Sequence, residues 1–425
     1  MIKGFKKIVL DNGLRIVLVS RPQSLASTVL VLTETGSLYE KKEINGVSHF
    51  LEHLCFKGTK NRPRSIDISS ELDSLGAEYN AFTGYESTGY FAKAQNKNLH
   101  KILNLIGDLY LNPVLDPQEI EKEKGVIIEE INMYEDLPNR RVQDLFLELL
   151  YGDQPAGWSV AGTKEVIKRV KREEILDYRD RHYLSNSSLI VVAGVFEEEE
   201  LIKEIKKDFD KIKSGQKLII PATKELQEKP AILLKSKNTD QSHLVLGARA
   251  YNLFDSRRYP LEVLSHVLGG SMSSRLFQKI RDVLGAAYYV HSSVDLFSSH
   301  GYLAVNAGVD NLKIETVIEA ILEEFSKLKN EIVPAAELRK AKDHMIGRLF
   351  LSLEGSDEWA GFYGGQEILE HALKTPEEVV EEIQKVNAGE IKAVAQDIFQ
   401  SQKLNLALIG PSEEPARFEK ILSLK

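Results

Sequence analysis

One cysteine, Cys55, stands in a chain of 425 residues, so no internal disulfide can form and the composition fits a reducing compartment. Long apolar runs are missing as well. Stretches such as Leu189 to Val195 stop far short of the roughly 20 residues that cross a bilayer, and no membrane association is expected. Nor is there an excess of positive charge: 55 Lys and Arg stand against 63 Asp and Glu, for a net charge of -8. That balance excludes a strongly basic nucleic-acid binder and offers no cationic block to an anionic membrane. The first ten residues, Met1 to Leu10, carry early charges but neither an apolar segment of signal-peptide length nor a small-residue cleavage site, so a cytoplasmic protein is expected.

What is present is ordinary globular material, 43% hydrophobic and 28% charged, in a chain longer than one hydrophobic core usually organises. Alternating apolar residues around Asp11-Asn12-Gly13 predict a hairpin over Lys7 to Val19. Strand-like runs follow at Thr28 to Thr33, Glu78 to Phe82 and Gly89 to Lys93, with helical stretches at Gly46 to Phe56, Ser65 to Leu75, Asn98 to Tyr110 and Asp116 to about Met133. A polar segment from Lys213 to Pro230 divides the chain into two parts of similar length, and these parts repeat each other. Ser48-His49-Phe50-Leu51-Glu52-His53 aligns with Ser265-His266-Val267-Leu268-Gly269-Gly270, Leu75-Gly76-Ala77 with Leu284-Gly285-Ala286, and Glu119 to Lys124 with Glu337 to Lys342. Three matches in one order, at nearly constant offset, predict an α+β fold of two homologous domains from internal duplication. Each is expected to be a mixed β-sheet with helices packed on one face, over residues 1–212 and 231–425, joined by a linker at 213–230.

The chemistry lies in His49-Phe50-Leu51-Glu52-His53. Imidazoles at i and i+4 point the same way from a helix and can share one ion. On a helical wheel His49, Glu52 and His53 fill one arc of roughly 100°, while Val47, Phe50, Leu51, Leu54, Cys55 and Phe56 surround them. A polar trio on a buried helix must be satisfied, and a bound cation with a water does so. Chance supplies this spacing in fewer than about 0.04 of chains of this composition. A catalytic zinc needs a third ligand. The helix that begins with Asp116 as N-cap and Pro117 at its first position carries Glu123 and Glu130 inside its apolar stripe, beside Val126, Ile127 and Ile131, whereas Glu129 falls on the solvent side next to Lys122. Glu130 is therefore the expected ligand. Glu123 lies about 10 Å from it along the axis, so it either stands behind a ligand and orients it or pairs with a buried Lys or Arg.

These segments together resemble the inverted zinc motif of the pitrilysin/insulinase family of metallopeptidases, and most of all its small-subunit branch, which includes mitochondrial processing peptidase and bacterial relatives. The resemblance extends over the whole chain, through Leu10 to Leu14, Phe56-Lys57-Gly58-Thr59, Asn80-Ala81-Phe82-Thr83 and Gly269 to Phe277. It implies a zinc metalloendopeptidase acting on peptides or unfolded polypeptides. His49, His53 and Glu130 would bind one Zn2+ per chain, Glu52 would be the general base, and Glu123 a further acid associated with activity. It also implies that Arg281 and Tyr288 hold substrate and steady the oxyanion, and that Asn80, Ala81 and Phe82 lie on an open strand that pairs with the substrate backbone. Residues 1–212 would be the catalytic domain. The second half, with Ala341 and Arg348 where Glu123 and Glu130 stand in the first, would be a metal-less structural and substrate-binding domain. A homodimer enclosing a chamber, or a heterodimer with a metal-less homologue, is the expected assembly. Two readings compete: a catalytically silent scaffold or partner subunit of a processing-peptidase-type complex, and a zinc hydrolase of unrelated fold. The same donor set would also accept cobalt or manganese.

Overall fold

The turn at Asn12-Gly13, where Gly13 has φ +87°, reverses the chain between β1 (Lys6–Val9) and β2 (Arg15–Ser20), which pair antiparallel. The computed structural model describes residues 4–412 and 414–424; residues 1–3, which open the segment read above for targeting signals, lie outside it, as do residues 413 and 425. The hairpin continues into β3 (Ala26–Thr33), β4 (Glu78–Thr83), β5 (Thr88–Gln95) and β6 (Ser188–Gly194), forming a six-stranded sheet of order β1-β2-β6-β3-β5-β4. A second sheet has the order β7-β11-β8-β10-β9, from β7 (Ala231–Ser236), β8 (Gln241–Arg249), β9 (Ala287–Leu296), β10 (Gly301–Asp310) and β11 (Leu404–Gly410). Both are mixed. The only parallel pairs among the described strands are β2 with β6 and β7 with β11. Strand for strand, β2-β6-β3-β5-β4 corresponds to β7-β11-β8-β10-β9, so the repeat read in the sequence is also a repeat of topology.

The helices used below are α1 (Val47–Cys55), α2 (Leu99–Leu111), α3 (Pro117–Asp136), α4 (Pro138–Tyr151), α5 (Arg258–Gly269), α6 (Ile314–Asn330), α7 (Ala335–Leu351), α8 (Ser356–Glu370) and α9 (Ala388–Ile398). The chain forms two compact units, one of residues 1–131, 159–221 and 350–375, the other of residues 132–158, 222–349 and 376–425.

In the first unit the two-residue period of β3 sends Val29 and Val31 to one face of the sheet and Leu30 and Leu32 to the other. The first face packs against Leu51 and Leu54 of α1 and Ile102, Leu103 and Ile106 of α2. On the second face lie Ala360, Tyr363 and Ile368 of α8, against Val17, Val19, Leu189 and Val191. With both faces covered, β6 is buried at every position, and its unbroken apolar run follows from that. In the second unit, Leu261, Leu264 and Leu268 of α5, Val317 and Ile321 of α6 and Val394 and Ile398 of α9 form one core with Leu244, Leu246, Val305 and Leu406 of the sheet. Phe325 and Phe399 stack there with ring centroids 4.0 Å apart. Here α4 packs on β8 and β11, with Phe146 edge-on to Tyr302 at 5.6 Å.

The units differ at two helices from the contiguous division expected at 1–212 and 231–425. The segment carrying α4 belongs with the second sheet and the segment carrying α8 with the first. The reason is burial. Most helices do lie on one face of each sheet, yet the other face of the central strands is equally apolar and needs a helix to exclude water from it. Ile368→Ala should therefore lower stability by about 2–4 kcal/mol in urea unfolding; a loss below about 0.5 kcal/mol, as at an exposed position, would contradict the packing of α8 on this sheet.

Candidate metal centre

Helix α1 starts at a tight crossing. Gly46 has φ +97°, and a Cβ there would lie 2.7 Å from the carbonyl oxygen of Ala161, so glycine alone fits. The first turn is then held by Glu40, whose Oε2 accepts from the Gly46 backbone N–H at 2.7 Å and from Asn45 at 2.9 Å. Its Oε1 accepts from the Ser48 backbone N–H at 2.8 Å and from the Ser48 hydroxyl at 2.6 Å. A carboxylate thus occupies the positive end of the helix and satisfies N–H groups that have no partner within it. Glu40 is buried, and burial raises its pKa against the pull of those four bonds. Seven residues before the helix, it has no periodic relation to the motif, and sequence reasoning passed over it.

One turn further on, His49 and His53 face each other, their Nε2 atoms 3.2 Å apart. Glu130 of α3 closes a triangle: its Oε2 lies 3.6 Å from His49 Nε2 and 3.4 Å from His53 Nε2. Zinc bonds of 2.0–2.2 Å at tetrahedral angles separate ligand atoms by about 3.3–3.5 Å, so these three donors are spaced to share such an ion. They are the one His, Cys, Asp and Glu group of three found with this spacing among the described residues. The other nitrogen of His49, Nδ1, is buried without a hydrogen-bond partner. Glu129 is exposed, as the wheel placed it, whereas Val126, placed on the apolar stripe, is 49% exposed because that part of the stripe runs past the edge of the core.

Glu123 is buried and lies behind His53. The Nδ1–H of His53 donates to Glu123 Oε1 at 2.8 Å, and Lys57 Nζ reaches Glu123 Oε2 at 2.7 Å. The two sequence alternatives for Glu123 therefore coexist, one oxygen orienting a ring and the other meeting a lysine. That bond keeps a proton on Nδ1 of His53 and turns Nε2 toward the triangle. The neighbouring carboxylate, Glu52, accepts from the Thr83 hydroxyl at 2.7 Å. Thr83 and Lys57 both fall within segments quoted for the resemblance, but nothing in their spacing marked them as partners.

From protein groups alone, burial and then the charge of His53 push the His49 pKa down to about 4. Burial would lower His53 too, but its bonds to Glu123 and Glu130 outweigh that and raise it to about 9. The pair thus behaves as one site holding one proton. Glu123 sits below the usual carboxylate range: burial acts upward and is outweighed by His53 and Lys57. Glu52 is raised by burial against the hydrogen bond from Thr83.

Asn80, Ala81 and Phe82 lie on β4, the outer strand of the first sheet, which pairs with β5 on one side and with no described strand on the other. Phe82 is 43% exposed. Arg281 and Tyr288 belong to the second unit, where the structure brings them together: the guanidinium carbon lies 5.8 Å from the ring centroid of Tyr288, which is 72% exposed. Arg281 is carried by a π-helical stretch, Phe277–Val283, a rare geometry often found at functional sites.

Comparison with known proteins gives the family. Residues 15–164 match the family described as insulinase, peptidase family M16, and residues 169–345 match the peptidase M16 inactive domain. The chain belongs to peptidase family M16. A Bacillus subtilis protein named as an uncharacterised zinc protease is 35% identical over 407 residues, covering 96% of this chain and 98% of its own. A Mycobacterium leprae protein named likewise is 32% identical over 411 residues, covering 96% and 92%. Among solved structures, a protease from Helicobacter pylori superposes with a TM-score of 0.89 at 24% identity, covering 96% of this chain and 99% of that one, a likeness of fold. The match to the inactive domain includes Gly270 and Ala341, two of the positions that lack the donors of the first half. The M16 donor set fits zinc on its own chemistry, two imidazoles and a carboxylate at tetrahedral spacing with one ring oriented from behind.

The two imidazoles give the chelated protein an unusual stability profile. Burial holds the His49 pKa at about 4 in the folded chain, below the ordinary imidazole value of about 6.5. Its contribution is complete above pH 6.5 and is lost as pH falls toward 4. His53, at about 9, behaves oppositely: its contribution is complete below 6.5 and is lost as pH rises through 9. Thermal midpoints of chelator-treated protein should peak between about pH 6 and 7, and added zinc should flatten the alkaline limb, because the ion replaces the proton. A midpoint that climbs steadily through pH 9 without metal would contradict this.

Proposed function

We propose that the chain is a zinc metalloendopeptidase that hydrolyses peptides or unfolded polypeptides, with His49, His53 and Glu130 as the ligands of one Zn2+. The observation that carries this reading is the convergence of those three donors beside the carboxylate of Glu52. The names of the relatives support it at the level of zinc protease. When bound, zinc acidifies water and polarises a peptide carbonyl.

Everything else falls to the chain's own side chains. Glu52 takes the proton from the attacking water and hands it to the departing amine, so no covalent intermediate is required. Thr83 holds the Glu52 carboxylate by one oxygen, which leaves the other to receive that proton. Burial, by raising the Glu52 pKa, brings it closer to the working pH, where a general base is most effective. Glu123 keeps His53 turned toward the ion. Asn80, Ala81 and Phe82 present an open strand edge to which an extended peptide can add by backbone hydrogen bonds, a mode that demands little of the substrate's side chains. For Arg281 and Tyr288 we retain the role that the resemblance implies, donors to the substrate oxygen where negative charge develops; their mutual approach supports it. A second copy of the chain, or a metal-less homologue, completes the enclosure.

The experiment is incubation with a mixed oligopeptide pool, with mass spectrometry of the fragments. Cleavage should stop with a chelator and return with zinc. Glu52→Gln should keep zinc and lose at least about a hundredfold in rate, and the native mass should be twice 47.8 kDa for a homodimer. Cleavage by Glu52→Gln at the wild-type rate would remove Glu52 from the mechanism, and a zinc-loaded protein that cuts nothing would favour the silent-subunit reading.

A further inference from the structure

The duplicated half holds a second imidazole pair. His266, the counterpart of His49, lies on α5, and His344 lies on α7, the counterpart of the helix that supplies Glu130. Nε2 of His266 stands 2.9 Å from Nδ1 of His344, with the ring centroids 4.9 Å apart. This is not the first site in decayed form. The positions equivalent to His53, Glu123 and Glu130 hold Gly270, Ala341 and Arg348, and His344 stands where the first half has Val126. The ring of His266 also depends on that exchange: a Cβ at Gly270 would come within 2.3 Å of its Nδ1, so a histidine there could not coexist with this rotamer. The loss of one donor and the gain of another have moved the pair onto the α5–α7 seam.

We propose that His266 and His344 form a divalent-cation site for a nitrogen-preferring ion of square or tetragonal geometry, Cu2+ or Ni2+, with water in the remaining positions. The spacing favours that class. Two nitrogens bonded at about 2.0–2.1 Å lie about 2.9 Å apart at a right angle and about 3.3 Å apart at the tetrahedral angle. The 2.9 Å pair matches the first, whereas the 3.2 Å pair of His49 and His53 lies nearer the second. The carboxylate beside His266 is already engaged: Glu337, which lines a small recess next to that ring, is held by both arms of Arg275 at 2.8 Å, and Lys340 donates to the Ser273 carbonyl at 2.9 Å. The recess of about 10 Å3 beside His266, lined also by Ser271 and Ser273, is the size of one water. His344 is exposed, so an ion can enter from solvent.

The test uses the full-length chain with its first site loaded with zinc, titrated with Cu2+, Ni2+ or Zn2+ by calorimetry, with electron paramagnetic resonance for the copper arm. One further equivalent of Cu2+ or Ni2+ should bind, with nitrogen hyperfine splitting from two imidazoles. Replacement of the exposed ring, His344→Ala, should weaken that equivalent by about a hundredfold, because one of two linked donors is lost, while zinc retained at the first site stays unchanged. His266→Gln should do the same by the other donor. Glu130→Gln should lower zinc retention and leave the additional equivalent intact, which separates this proposal from the peptidase reading. A second equivalent that survives His344→Ala, no second equivalent at all, or one that takes only Zn2+ would overturn the proposal; in the second case the 2.9 Å contact is an N–H···N hydrogen bond between neutral rings.

Discussion

Four ionisable side chains linked through His53, in a half-buried position between two helices, are the constraint around which the first unit is built. Two imidazoles and two carboxylates cannot all keep their ordinary charge states there. Protein groups answer part of the problem, with one proton shared by the rings and Lys57 beside Glu123. The rest is the triangle of His49, His53 and Glu130, whose sides of 3.2–3.6 Å are too long for ordinary hydrogen bonding throughout and suited to a shared ion.

A triangle of that kind is only as good as the helices that carry it. Helix α1 has nine residues, too short to be stable alone, and it is fixed at three places: by the carboxylate of Glu40 at its first turn, by the contact of Gly46 with the chain at Ala161 and Gly162, and by Phe50, Leu51 and Leu54 in the core. Helix α3 is anchored by Ile120, Ile127 and Ile131, and Asp116 accepts from the backbone of Gln118 and Glu119 at its start. Two elements separated by some seventy residues are each pinned before any ion arrives. Preorganisation of this sort keeps ligand geometry from being spent as binding energy.

Much of this was legible in the sequence because it rests on short-range periodicity. Helical spacing put His49, Glu52 and His53 on one side of α1, separated Glu130 from Glu129 on α3, and marked Glu123 as inward. The duplication was readable because sheet order and helix pattern recur with the residues that encode them. What escaped detection depends on contacts distant in sequence. Glu40, Lys57 and Thr83 act across loops, and no local pattern distinguishes an acid that caps a helix seven residues on from an acid on the surface. The placement of α4 and α8 escaped for the same reason: an amphipathic helix declares that it has an apolar face, but not which sheet that face covers. Val126 shows the converse error, an apolar residue read inward on a stripe wider than the core it meets.

The central claim is a single ion held by three named side chains, and the most direct test is anomalous diffraction at the zinc edge from crystals of the full chain grown with zinc. The account predicts one strong peak within about 2.0–2.2 Å of His49 Nε2, His53 Nε2 and a Glu130 oxygen. Full-occupancy zinc elsewhere, with the two rings and Glu130 bonded only to protein or water, would contradict it.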